Sequence, residues 1–313
     1  MRFYMGLKGS LVFLLYLTVF FSSSTAFPEE KYVVDILTNK GIKQYDQSIA
    51  GFETELAQKN FNVSYNIYDQ DLAQNPSIVG EILDTKPNHV LAVGTEKALF
   101  AKENFKDLPV VFSMVLDPIE GGIVESWDNS GKNLSGVSLK ISVEKQFEKL
   151  KKILPDVKSV GMLYDAKNKQ GLRLEAEHAA QNLGLRLVAK SVISKADVAD
   201  ALDELVTEVD CLWAGVDTLI YNPQSAKHIL LTTLRSKIPF MAFSSHYVDA
   251  GALMALECDY EDIGKQTADI VTKILAGESP GSIPIEFPRK LKLITNQNTA
   301  EVLDLQIPQE LFD

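Results

Sequence analysis

Polar side chains follow the buried strands that this sequence predicts. Hydroxyl and amide groups prevail in the first half of the chain, and carboxylates prevail in the second half. The predicted ligand-binding residues are Thr38, Asn39, Thr95, Ser113, Met114, Tyr164, Asp165, Asp217, Ser244 and Asp259. In open parallel sheets, ligands bind outside the carboxyl ends of strands, because loop amides and helix N-termini gather there. This division suits a small zwitterion, with its carboxylate held by hydroxyls and amides and its ammonium held by an acid.

Each of these residues also has an ordinary structural interpretation. Serine, threonine and aspartate at helix starts are common N-caps, and the three acids can simply face solvent at loop tips. Aromatic residues such as Tyr164 and Trp213 more often pack in a core than against a ligand. The joint placement at the strand ends of two similar halves favours the ligand-binding interpretation.

The segment PVVFSMVLDPIEGG, Pro109 to Gly122, illustrates this placement. Its apolar residues predict a buried strand, which then leaves the core at Ser113. We expect Phe112 in or near a cleft wall and the Ser113 hydroxyl at the sheet edge. Asp117-Pro118 predicts a turn, because both residues favour turn conformations.

Catalytic motifs are missing from the sequence. It contains no His-Glu-x-x-His motif, Walker phosphate loop or Gly-x-Gly-x-x-Gly fingerprint. The four histidines are scattered without the spacing of metal ligands. The sequence therefore favours a binding protein over an enzyme, and it predicts no metal and no cofactor.

Short apolar runs alternate with amphipathic stretches from Lys31 onward, which is typical of parallel sheets covered by helices. The pattern occurs twice, and the segment GKNLSGVSLK between the two occurrences interrupts it. The predicted fold class is therefore α/β, with two Rossmann-like lobes that have parallel sheets, a hinge and a cleft between the lobes.

Helix boundaries carry local signals. Ser142 predicts an N-cap for a helix that Pro155 ends. Ser194 and Asp197 have the spacing of a capping box before a helix over residues 198–206. Gly184 and Gly277 predict the ends of two further helices.

The N-terminal segment predicts a secretory signal peptide. Arg2 and Lys8 precede an apolar run over residues 11–21 and a small-residue end at Ala26. A membrane anchor is the alternative, but the run is about half of the roughly 20 apolar residues that a span needs. We therefore expect Sec-dependent export to a periplasmic or other extracytoplasmic location.

The net charge bears on the class of partner, and the cysteine content bears on disulfide bonds. The formal charge of −11 and the lack of a Lys/Arg block argue against nucleic acid as a partner. An exported chain with Cys211 and Cys258 can form a single disulfide. Because the two cysteines fall at opposite ends of different predicted strands, we expect two free, buried thiols.

Several blocks together resemble a known family. They are VGTEKALFA, LPVVFSMVLDPIEGGIV, NLSGVSL, EKLKKILPDVKSVGMLYD, KIPFMAFSSHYVDAGALMAL and DYEDIGKQTADIVTKILAGESPGSIPIEFPRKLKLITNQNTAEVLDLQIP. These blocks resemble the extracytoplasmic substrate-binding proteins of ABC transporters in the tryptophan/tyrosine-binding-like family. Thr95 and Ser113 fall at matching places, and Asp259 matches the acid of the family's VDYYDLG block. The chain departs from the family pattern at ILTNKGI and at AGVDTLIYNP, where many members carry a PTDN-like strand end.

The resemblance implies a type I periplasmic-binding-protein fold with three crossings between its lobes. The expected organisation is a signal peptide over residues 1–26, lobe 1 over 27–136 and 259–281, and lobe 2 over 137–258 and 282–313. The expected function is capture of an amino acid, aromatic or not, or of a related carboxylate by hinge closure. The expected partners are this small-molecule ligand and an ABC permease in the inner membrane, with the protein as a monomer. The alternative is a periplasmic sensing module that signals to a membrane receptor or kinase.

Overall fold

A computed structural model describes residues 31–69, 72, 75, 77–128 and 133–308. The predicted signal peptide and the first residues of GKNLSGVSLK lie outside the described residues. In the part of the chain that is described, the strands form two separate sheets. Helices cover each sheet, so the predicted α/β class is confirmed.

The first sheet has five parallel strands in the order β2-β1-β3-β4-β5. Its strands and helices are β1 (Lys31–Leu37), α1 (Lys43–Gln58), β2 (Asn62–Tyr68), α2 (Ile78–Asp84), β3 (His89–Val93), α3 (Thr95–Asn104), β4 (Val110–Val115) and β5 (Leu134–Ser138). Successive side chains of β3 and β4 enter different cores. Val111 packs with α1 residues on one face, and Phe112 packs with α2 and α3 residues on the other. Burial on both faces explains why these strands are continuously apolar.

The second sheet has six strands in the order β11-β10-β9-β8-β6-β7. Its strands and helices are α4 (Val143–Ile153), β6 (Ser159–Asp165), α5 (Gln170–Asn182), β7 (Arg186–Val192), α6 (Asp197–Leu205), β8 (Cys211–Trp213), α7 (Pro223–Arg235), β9 (Phe240–Ala242), α8 (Ser245–Asp249), β10 (Met254–Cys258), β11 (Leu291–Thr295) and α10 (Gln297–Val302). β11 runs antiparallel to β10. The predicted parallel sheet therefore has one antiparallel strand at this edge.

The helix α9 (Tyr260–Leu275) follows a strand of the second sheet but packs against α1, which covers the first sheet. Gly264 and Gly51 permit this contact. A Cβ at Gly264 would overlap the carbonyl oxygen of Ser48, and one at Gly51 would overlap that of Glu261. The chain therefore passes between the sheets after β5, before α9 and before β11. The residue boundaries of the two lobes stay a prediction.

Most of the local signals are confirmed. The Ser142 hydroxyl accepts from the Lys145 amide at 3.3 Å and caps α4. Gly184 and Gly277 each follow the C-cap residue of α5 and α9 with positive φ values of 68° and 101°, and both cysteines are free and buried. The capping box before α6 is wrong, because the helix begins at Asp197 itself and its N-cap residue has no side-chain hydrogen bond. The Asp197 carboxylate instead accepts from the amide of Ser194 at 2.8 Å.

Candidate functional site

A cavity of about 490 Å³ lies between the loop after β4 of the first sheet and the carboxyl ends of strands in the second sheet. The first crossing, after β5, forms its base. Its lining residues are Leu116, Asp117, Glu120, Leu139, Lys140, Ile141, Val143, Gln146, Asn168, Lys169, Gly171, Leu172, Glu175, Trp213, Ala214, Gly215, Val216, Phe243 and Leu256. This volume and its position between two sheets are typical of a small-molecule site.

One wall of the cavity is apolar and rigid. Trp213 ends β8 and is fully buried. Its ring packs edge-on against Phe147 at a centroid distance of 5.2 Å. Its indole Nε1 donates to Gln146 Oε1 at 2.9 Å, which satisfies the only polar atom of the side chain. Leu172 and Phe243 extend this wall, so it can bury the apolar part of a ligand.

A second set of lining residues, here called the charged wall, carries both signs of charge. Lys140 Nζ lies 3.2 Å from Asp117 Oδ2 and 3.4 Å from Glu175 Oε2. Asp117 belongs to the loop after β4 and Glu175 to α5, so Lys140 connects the two sides of the cavity. Burial by itself lowers the pKa of Lys140, but the two carboxylates outweigh burial and raise it. The lysine is therefore a fixed cation at neutral pH.

A second ion pair crosses the cavity between Glu120, in the turn after β4, and Lys169, the residue before α5. The charged lining residues are thus the acids Asp117, Glu120 and Glu175 and the bases Lys140 and Lys169. The acids outnumber the bases, so an ammonium group can enter without a net charge penalty. Lys140 and Lys169 are the cationic groups of the lining, and a ligand carboxylate would share them with the acids that they already contact.

The end of β4 has an unusual backbone. Met114 has a φ of 59°, in the left-handed region that non-glycine residues rarely adopt. The pairing with β5 shifts register between Phe112 and Val115, which is the mark of a β-bulge. The chain then turns at Asp117, whose Oδ1 accepts from the amides of Ile119 and Glu120 at 3.0 Å each. The predicted turn is confirmed, and it places Asp117 and Glu120 in the cavity lining.

The residues predicted from the first sheet lie near the strand ends but outside the cavity lining. Ser113 is buried, and its hydroxyl lies 3.4 Å from that of Ser48 in α1. Thr38 is buried, and its hydroxyl has no hydrogen-bond partner among the described residues. Thr95 begins α3, and Asn39 follows β1 at a partly buried position. Phe112 packs in the core with α3 residues, so its expected place at a cleft wall is wrong.

The acids predicted from the second sheet are bound to backbone amides. Asp165 accepts from Lys167 N at 2.8 Å, and this hydrogen bond is the first cause of the lowered pKa of its carboxyl. Asp217 accepts from Asp165 N at 2.9 Å. Asp259 caps α9 by accepting from Asp262 N at 3.2 Å. Asp165 and Asp217 are buried, so the alternative in which they face solvent at loop tips is wrong for these two acids.

The two remaining second-sheet residues adjoin the site without lining it. Tyr164 is partly buried against the α4 side of the core, and Ser244 precedes α8. The cavity lining contains none of the predicted residues, all of which are described. Their role as ligand contacts stays a prediction.

Sequence reasoning missed the charged groups of the cavity. Lys140 is the last residue of the segment GKNLSGVSLK. Glu175 lies inside α5 and not at a strand end. The usable signal was the crossing itself, since a segment that joins two lobes must pass the cleft. Among the described residues no cluster of metal-ligating side chains occurs, and no helix has the length and apolar content of a membrane span.

Comparisons with known proteins agree on one family. The family model described as ABC transporter substrate binding protein matches residues 33–313. A tyrosine-binding protein of Clostridioides difficile is 28% identical over 269 residues, which are 83% of this chain and 77% of that protein.

Solved structures show the same fold. A ligand-free, open substrate-binding protein with adhesive properties from Clostridium difficile is 26% identical and has a TM-score of 0.78. The match covers 89% of this chain and 96% of that one. A Streptococcus pneumonia domain in complex with L-Trp is 22% identical and has a TM-score of 0.63. The match covers 90% of this chain and 97% of that domain.

Proposed function

The chain belongs to the family of ABC transporter substrate-binding proteins, and we propose that it captures an amino acid with an aromatic side chain, or a related carboxylate, in the cavity between its two sheets. Capture proceeds by hinge closure, and the ligand then passes to an ABC permease. The family is extracytoplasmic, and export through the N-terminal signal peptide is part of this proposal.

The observation that carries the proposal is the pairing of a mixed-charge wall with an apolar wall in one cavity. The acids around Lys140 suit an ammonium group, and Lys140 and Lys169 suit a carboxylate. The wall of Trp213, Leu172 and Phe243 suits an apolar side chain. An amino acid presents these three groups from one carbon atom.

The energies are adequate for micromolar capture, which corresponds to about 8 kcal/mol. Charge-assisted hydrogen bonds contribute about 1.5–3 kcal/mol each, and two or three of them fit the charged wall. Burial of an aromatic side chain contributes about 1.5–3 kcal/mol more. The charged wall alone contributes about 3–9 kcal/mol, and the two walls together contribute about 4.5–12 kcal/mol. Contact with both walls therefore favours micromolar capture, and closure of the two sides brings both walls to the ligand.

A relative supports the aromatic part of the proposal, since the C. difficile protein that matches most of this chain is named for tyrosine binding. The residues predicted at the strand ends, such as Thr95 and Asp259, remain proposed contacts for the closed form.

Calorimetry with L-tyrosine, L-tryptophan, L-leucine and 3-(4-hydroxyphenyl)propionate tests the proposal. The last compound is tyrosine without its ammonium group. We expect the aromatic amino acids to bind most tightly and the deaminated compound to bind more weakly. Absence of binding by every amino acid would overturn the proposed ligand class.

The variant Glu175→Gln tests the role of the charged wall. We expect it to weaken L-tyrosine by at least about 1 kcal/mol, because it removes a charged partner of the ammonium. The affinity for the deaminated compound should stay within twofold of the wild type. An equal loss for both compounds would mean that Glu175 does not recognise the ammonium.

A further inference from the structure

We infer that Gly215 sets the size limit of the ligand's apolar part. Because glycine has no Cβ, the Leu172 side chain can lie against residue 215 and does not project into the cavity. The inference rests on the proposed function, and it assigns a specificity-determining position within the same site. Gly215 follows Trp213 and Ala214 directly after β8, and it lines the cavity.

The space beside Gly215 is already occupied. A Cβ at this position would overlap Leu172 Cδ2, and it would lie 3.3 Å from Leu172 Cγ and 3.3 Å from Trp213 Cη2. The φ of Gly215 lies outside the positive range that disfavours other residues. The requirement for glycine is therefore steric and comes from these two side chains.

Only one of the two neighbours can move. Trp213 is fully buried, packs on Phe147 and is hydrogen-bonded to Gln146. Leu172 is only partly buried, and its contact with Gly215 is through the end of a flexible side chain. A methyl group at position 215 therefore displaces Leu172, and the open volume next to it is the cavity.

This geometry connects one missing methyl group to the class of ligand. With glycine, Leu172 lies back against residue 215 and the apolar wall accommodates a ring. With alanine, Leu172 occupies part of that space, and only a small side chain fits. The native glycine thus indicates a ligand with a ring-sized apolar group.

The experiment compares the wild type, Gly215→Ala, and Gly215→Ala combined with Leu172→Ala, with L-tyrosine and L-alanine as probes in calorimetry. We expect Gly215→Ala to weaken L-tyrosine at least tenfold and to leave L-alanine within threefold. The double variant lacks the Leu172 contact of the apolar wall but regains the space, so it should bind L-tyrosine at least threefold more tightly than Gly215→Ala does. Gly80→Ala is the control, since a Cβ at this exposed α2 position meets nothing within 4 Å.

A second variant guards against a folding defect in Gly215→Ala. Leu172→Phe keeps Gly215 and enlarges the side chain that α5 places beside the cavity. It should therefore weaken L-tyrosine and spare L-alanine in the same way. Unchanged L-tyrosine affinity in Gly215→Ala, or equal losses for both probes, overturns the inference while the proposed function stands. A wild type that binds neither amino acid overturns the proposed function, and the inference with it.

Discussion

His89 is a buried histidine outside the candidate site. It begins β3, is fully buried, and neither ring nitrogen has a hydrogen-bond partner among the described residues. Phe52 of α1 lies edge-on to the ring at 6.3 Å. Burial lowers the pKa of this imidazole from 6.5 to about 3, because the apolar surroundings penalise the charged form. The folded protein therefore holds His89 neutral.

This burial predicts a loss of stability in mild acid. Because the folded pKa lies below the unfolded value, the unfolded state binds a proton first as the pH falls below 6.5. We expect a loss of about 2 kcal/mol in the free energy of unfolding between pH 7 and pH 5 from this residue alone. Urea unfolding of the wild type and of His89→Leu measures it, and the variant should lose less.

The matched control for that experiment is His178→Leu. His178 is exposed on α5, and its removal leaves the buried His89 in place, so the loss of stability that His89 causes in mild acid should remain. Identical slopes for the wild type and His89→Leu would show that His89 takes up its proton in the folded state.

Sequence patterns predicted single residues where the signal is local. The Ser142 cap depends on a hydroxyl and an amide three residues apart, and both lie in one short segment. The cavity was not predicted, because Lys140, Glu175 and Trp213 are far apart in sequence and meet only through the packing of crossing, helix and strand. Asp165 and Asp217 were predicted as ligand contacts, and in the structure Asp165 accepts from the amide of Lys167 in its own loop, whereas Asp217 accepts from the amide of Asp165 at a different strand end.

At the scale of elements, the pair α1 and α9 depends on two glycines. A Cβ at Gly264 would lie 2.7 Å from Phe52 N and 2.8 Å from Ser48 C. Both of these are backbone atoms of α1, which cannot move without separating the helices. The pair connects α9 to the first sheet, although the preceding strand belongs to the second.

Gly264→Ala should therefore destabilise the protein. Alanine raises helix propensity by about 1 kcal/mol, but forced separation of packed helices costs about 1–3 kcal/mol or more. We expect a net loss of about 2 kcal/mol in urea unfolding. The control is Gly171→Ala in α5, where a Cβ meets nothing within 4 Å, and it should gain up to about 1 kcal/mol. Equal stability of Gly264→Ala and the wild type would mean that the helices are less tightly packed.

Alternating apolar runs and amphipathic stretches predicted two sets of strands covered by helices, because a strand buried on both faces has a continuous apolar sequence. The direction of β11 was not predictable in this way. An extended segment such as LKLIT has no direction in its composition, and its antiparallel pairing with β10 follows from the path of α9. The short helix α8 was also missed, since five residues carry too little periodicity.

At the scale of the whole molecule, ion pairs join residues that belong to the two sheets' sides of the cavity. Glu120 and Lys169 join the turn after β4 to the start of α5. Lys140 reaches both sides from the crossing between them. These contacts restrain the separation of the two sides, and a ligand that binds both walls adds to the same restraint.

Reversal of the charge at Lys169 should loosen this restraint. In Lys169→Glu a repulsion from Glu120 replaces the attraction, and partly exposed pairs of this kind are worth about 0.2–1 kcal/mol. We expect a larger radius of gyration in solution scattering and an affinity for L-tyrosine that is about two- to fivefold lower. The combined variant Lys169→Glu with Glu120→Lys restores an attractive pair, so both quantities should return toward the wild type.

The comparison separates a contact across the cavity from a general effect of charge. Lys265→Glu makes the same change of charge in α9, where Lys265 pairs with Glu261 of the same helix at 2.7 Å. Because that pair lies within one element, its loss should alter neither the radius of gyration nor the affinity. If the double reversal fails to recover what Lys169→Glu loses, then the two side chains do not act as a pair, and the restraint must come from Lys140 and the crossings.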